Sequence, residues 1–169
     1  MDMNTMLKLL MSTDALKQVS EQTGISQQDA ASVMEEVLPM LLKGMQGQAS
    51  DKATSQGFIE ALSAHSKEDT SDVKSAIKKA DTDDGAKIVN HLLGSRQEEV
   101  AAKAKKKSGI DTKTILKIMA IVAPILMSQM GKSAKSETAT QKSDGGIVGD
   151  ILGNIDAGDV VKIISILMK

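Results

Sequence analysis

Residues 108–132 read SGIDTKTILKIMAIVAPILMSQMGK, and this stretch decides the fold. Gly109 sits where a helix ends in the left-handed conformation, and Asp111 is placed to cap the next one. From Ile115 to Met127 the apolar residues Ile115, Leu116, Ile118, Met119, Ile121, Val122, Ile125, Leu126 and Met127 leave almost no polar side. A helix that is apolar all round is buried all round, so it is expected to be the central element. Pro124 falls in its middle and removes one backbone hydrogen bond.

The same plan occurs earlier in the chain. Residues 23–47 read TGISQQDAASVMEEVLPMLLKGMQG. At an offset of 85, Gly24, Ile25, Met34, Val37, Pro39, Leu41 and Met45 match Gly109, Ile110, Met119, Val122, Pro124, Leu126 and Met130. Repeats of this kind mark a reused supersecondary unit. We read an internal duplication of a three-helix unit, over about 8–47 and 91–132. Ser26 caps the long helix of the first copy, with Asp29 in its first turn. In the second copy Ser95 with Glu98 forms a capping box. Between the copies, 51–65, 70–80 and 84–93 read as three shorter helices, and Asp81–Gly85 as a turn. No stretch alternates with period two over a strand's length. The expected class is all-α, an array of about eight helices.

Further along, residues 133–146 (SAKSETATQKSDGG) hold nothing apolar larger than Ala and read as a flexible polar linker. Residues 147–169 form a Gly-containing apolar tail ending in a tethered helix, with Val160, Ile163, Ile164 and Leu167 as a candidate interaction face. The domain plan is therefore a helical domain over 1–132, the linker, and the tail.

The segment HLLGSRQEEVAAKAKKKSGID, followed by the helix containing VAPILMSQMGK, resembles the bacterial YidB-like family, a domain of unknown function. The likeness lands on His91, Leu93, Gly94, Val100, Gly109, Ile110, Ala123, Pro124, Met127 and Gly131, with Asp84, Gly85 and Ile88 ahead of them. It implies a multihelical bacterial protein and brings no activity with it. Val19–Ala30 is also similar to the helix-turn-helix that opens the bacterial histone-like HU proteins. There the segment implies a helix-packing unit; the basic, proline-tipped arm that grips DNA has no counterpart here.

Composition narrows the chemistry. The 169 residues carry 21 basic and 22 acidic side chains, one aromatic (Phe58), 11 Met and no Cys. Disulfides, thiolate metal sites and a cysteine nucleophile are thereby excluded. Two histidines, His65 and His91, are too few for most zinc or triad chemistry. His91 is expected to be partly buried and hydrogen-bonded to backbone, and His65 to be solvated. Asp81, Asp83 and Asp84 do not make a calcium loop, because the twelfth position from Asp81 is Leu92 rather than Glu. The glycines of the tail lack the strand and the Gly-Lys-Ser/Thr of a phosphate loop. No cofactor, metal site, catalytic residue or small-molecule ligand is inferred.

One basic cluster stands out, Lys103, Lys105, Lys106 and Lys107. It offers candidate phosphate contacts, but lysines also gather in a helix's last turn to offset its negative end. No Arg or aromatic accompanies them for base reading or stacking. The methionines serve either as core filler or as an adaptable surface. The N-terminus lacks the charged start and apolar core of a secretory signal. The longest apolar run, Ile118–Met127, is ten residues against the roughly twenty of a bilayer span, so no membrane span and a cytoplasmic location are expected. The sequence reading is a non-enzymatic interaction or self-assembly module, its partner a protein or a second copy, with a weak nucleic-acid-associated protein as the alternative.

Overall fold

The computed structural model describes the backbone of residues 3–138 and the side chains of residues 4–132. Among the described residues there are eight α-helices and no strand: α1 (Met3–Leu10), α2 (Thr13–Thr23), α3 (Gln27–Ser50), α4 (Ser55–His65), α5 (Val73–Lys79), α6 (Thr82–Leu93), α7 (Gln97–Ser108) and α8 (Thr112–Thr138). The class is all-α, as read from the sequence.

Helix α8 is the axis, and each of the other seven helices packs against it. Every residue from Ile118 to Gly131 is buried, so the helix without a polar face has no face in water. By length and composition alone Thr112–Lys132 could cross a membrane, with a mean hydropathy of 1.6, a property that the ten-residue run does not disclose. In the fold, 83% of its most apolar 18-residue window is buried. The two polar residues between Ile118 and Gly131 are both partnered: the Ser128 hydroxyl donates to the Glu68 carbonyl at 3.3 Å, and Gln129 is also engaged.

The two Gly turns share one geometry. Gly24 and Gly109 have φ of +74° and +75°, and each closes the preceding helix through its N–H to the carbonyl four residues back. Ser26 and Asp111 then cap the helices that follow, accepting from the amides of Asp29 and Thr114. Pro39 and Pro124 lie inside α3 and α8. These shared devices are local; the duplication itself stays an inference from the sequence.

Three glycines set how closely the helices approach. A Cβ on Gly85 (α6) would lie 1.8 Å from the Ala120 carbonyl oxygen of α8. On Gly131 (α8) it would lie 2.1 Å from the Leu62 carbonyl of α4, and on Gly44 (α3) 2.8 Å from the Leu92 carbonyl of α6. Ala120 is the residue four before Pro124, so its carbonyl is the one that loses its helical N–H partner. The bare backbone of Gly85 fills that position, in the way that Cα–H groups meet carbonyls where helices cross closely.

Side chains from neighbouring helices reach the free carbonyls at helix C-termini. Gln22 donates to the Ile77 carbonyl at 2.9 Å, Gln48 to that of His91 at 3.0 Å, and Lys117 to that of Gln22 at 2.9 Å.

The structure corrects several sequence expectations. The Asp-rich run is a helix start rather than a turn: Asp81 accepts from the amides of Asp83 and Asp84, and Gly85 is interior to α6. Carboxylates in the first turn suit the positive end of the helix. The Ser95–Glu98 capping box does not form, because Gly94–Arg96 is a 3-10 turn running into α7, whose N-cap is an uncapped Arg96. With its backbone already helical, Ser95 cannot take the extended N-cap conformation. Helix α8 continues to Thr138, through the start of the segment read as a linker.

A Gly85→Ala chain is expected to be destabilised by several kcal/mol, since the clash is with backbone that cannot swing away. Gly57→Ala is the control: its Cβ meets nothing within 4 Å, and the helix-propensity gain is about 0.5–1 kcal/mol. Urea unfolding of both variants checks the contrast; equal stability would refute the close α6–α8 crossing.

Candidate functional site

An apolar concavity with an open mouth lies between α4 and α6. The wall from α4 carries the N-cap residue Thr54 with Gly57, Phe58 and Ala61, and the wall from α6 carries Ile88, His91 and Leu92. Both sets fall at helical spacing, so each wall is one face of one helix. Met127 of α8 forms the floor, and Gln48 and Ala53 close one end. The volume is about 330 Å3. Phe58, Ile88, Leu92 and Met127 are themselves buried, so the apolar atoms are recessed.

The polar side chains of this groove are largely committed. The Thr54 hydroxyl donates to the Gln48 carbonyl at 2.9 Å, and the Gln48 amide donates to the His91 carbonyl at 3.0 Å. They pin α3, the following turn and the end of α6 together. His91 is exposed at the rim, not partly buried as expected; its backbone carbonyl, rather than its ring, takes the hydrogen bond. No local motif marks the groove, since it forms only between two helices brought together on α8. The lone aromatic, Phe58, at helical spacing from Thr54 and Ala61, was the available signal.

The histidine that is held is His65. Its Nδ1 is 2.6 Å from Glu68 Oε1 and its Nε2 3.5 Å from Asp84 Oδ2, with the side chain 14% exposed. The expectation of a solvated ring is overturned, because the turn after α4 and the start of α6 bring a carboxylate to each nitrogen. With both nitrogens facing carboxylates, the ring ties α4 to α6. Among the described residues no group of three or more His, Asp or Glu is arranged to hold a metal ion.

Lys103, Lys105, Lys106 and Lys107 are all exposed on the last two turns of α7, with Val100, Ala101 and Ala104 on its buried side. Lys107 is bound to Glu36 of α3 at 2.5 Å. The hydrogen bond and charge of Glu36, with a further contribution from Glu35, hold the Lys107 ammonium above its ordinary pKa of 10.5. Lys105 faces the charge of Asp111. The cluster is thus partly neutralised by neighbours. Val160, Ile163, Ile164 and Leu167 lie outside the described residues.

Two carboxylates titrate below their ordinary value of 3.8: Asp69, through hydrogen bonds from the Ser71 side chain and amide, and Asp111, through those from Thr114. A depressed folded pKa contributes stability above the unfolded value that is lost as pH falls through the folded one. Lys107 works in the opposite sense: its contribution is present below 10.5 and lost as pH rises through the raised value. In acid titrations of thermal stability, Asp69→Asn with Asp111→Asn is expected to flatten the fall below pH 3.8. Lys107→Ala is expected to flatten the alkaline limb only, costing at most about 1 kcal/mol at neutral pH for so exposed a pair. Unchanged limbs would contradict these assignments.

Searches of curated proteins and of solved structures gave no match. A family model covers most of the chain, and the YidB-like resemblance of the sequence is consistent with it. Residues 5–133, from α1 into the last part of α8, match the model described as bacterial protein of unknown function (DUF937), and the chain belongs to that family.

Proposed function

We propose that this protein is a non-enzymatic interaction module whose α4–α6 groove receives the apolar face of a helix. The observation that carries the reading is the state of the groove's polar groups. A pocket for a small polar substrate keeps a few unspent donors and acceptors to orient it. Here Thr54 and Gln48 are spent on backbone carbonyls, the His91 ring stands at the exposed rim, and what lies deeper is recessed apolar surface between two helical walls. That geometry suits helix-in-groove recognition, in which side chains at i, i+3, i+4 and i+7 enter. The engagement of both His65 nitrogens by carboxylates supports a structural rather than a catalytic role for that residue. The partner is a protein, a copy of this chain included, and the setting is the bacterial cytoplasm, with α8 serving as a core helix rather than a membrane span. The nucleic-acid alternative rests on Lys103, Lys105, Lys106 and Lys107 alone, and its mark is an affinity that falls steeply with salt.

The test uses the full chain carrying Ile163→Asp and Leu167→Asp, so that its own tail does not compete. The probe is a synthetic amphipathic helical peptide with Leu at i, i+3, i+4 and i+7. Saturable NMR shifts at the methyls of Ile88, Leu92 and Met127 are expected, and Gly57→Glu is expected to weaken binding at least tenfold. Gly57 suits this because its Cβ has open space and helix propensity favours the change, while a charge enters the groove mouth. Shifts absent at the groove, or unaltered by Gly57→Glu, would refute the reading.

A further inference from the structure

We propose that the groove is occupied in cis by the C-terminal segment of the same chain, with Val160, Ile163, Ile164 and Leu167 as its anchors. The proposal rests on the helix-binding reading of the groove and adds the identity of the occupant. Three observations support it.

The first is the path of the chain. Met127 of α8 is the groove floor, and one turn later Gly131 lies against the Leu62 carbonyl of α4. Helix α8 therefore leaves the body alongside the same helix that forms one groove wall.

The second is reach. From Met127 to Thr138 the helix rises about 17 Å. Thr138 and Val160 are 22 residues apart, and a random coil of that length spans a root-mean-square distance on the order of 25 Å, enough to return to the groove without being stretched. A tether of this length holds its end at an effective concentration near the millimolar range, above what a free partner in the same solution ordinarily reaches.

The third is pattern. Val160, Ile163, Ile164 and Leu167 repeat at helical spacing, matching the period of the Thr54, Gly57, Phe58 and Ala61 wall. At that spacing Asp159 and Lys162 fall off the anchor stripe, so seating it would not desolvate a charge. The groove walls likewise present no Lys, Arg, Asp or Glu.

The absence of cysteine makes the test direct. A nitroxide is attached to the full chain at Ser165→Cys, off the anchor face, and methyl signals are compared before and after its reduction. Strong broadening at Ile88, Leu92 and Met127, with Val19 of α2 spared, is expected. It is expected to vanish when Ile164→Asp and Leu167→Asp are added. No broadening at the groove overturns the proposal. So does broadening that appears on isotope-labelled, spin-free chain when it is mixed with spin-labelled chain, because the occupant is then a second copy. A positive peptide titration in the tail-substituted chain alongside either result would remove the cis tail and leave the helix-binding reading standing.

Discussion

A helix with no polar side is stable in water only where other elements cover its whole circumference, and α8 imposes that condition on the rest of the chain. Fully burying an Ile, Leu, Val or Met side chain contributes about 1.5–3 kcal/mol, and α8 supplies an unbroken run of buried residues from Ile118 to Gly131. The remaining helices are short or amphipathic and do not need to be apolar throughout, since each presents its apolar face to α8 and to the neighbours that share that axis. That is how a chain with a single aromatic residue builds a continuous core: aliphatic and Met side chains fill it from all sides of one central helix.

Coverage at close range has a backbone consequence. Seven helices around one axis leave little room, and the tightest crossings are made at Gly85 and Gly131, where a methyl group would overlap a carbonyl oxygen. Pro124 and Gly85 act as a pair across the α6–α8 crossing. The proline frees the Ala120 carbonyl, which burial would otherwise penalise by about 1–3 kcal/mol if it met nothing, and the glycine brings α6 against it. The same closeness shapes the groove. Because α6 is drawn onto α8 at Gly85 and α4 at Gly131, the two helices flank Met127 and leave a recess between their faces.

Much of this was legible from local signals. The apolar circumference of α8 foretold its central place, the Gly24 and Gly109 turns were placed by their glycines, and Ser26 and Asp111 were recognisable caps. What failed did so where distant segments decide. His65 and His91 exchanged their expected environments, because Glu68 and Asp84 converge on the first while the second ends on the rim of a groove that exists only once α4 and α6 are side by side. The Asp81 run has the composition of a turn and was read as one, although the same carboxylates favour a helix start. The partial neutralisation of Lys107 by Glu36 joins α7 to α3, a pairing that spacing along the chain does not disclose.

If α8 is the axis on which the fold depends, native-state amide hydrogen exchange will show it. Elements that open only when the whole molecule unfolds carry the full unfolding free energy in their protection. The amides of Ile118–Met130, Pro124 excepted, are expected to be the last to exchange and to share one opening free energy equal to that of global unfolding. Amides of α8 exchanging through a smaller opening, while α2 or α7 stays protected, would contradict it.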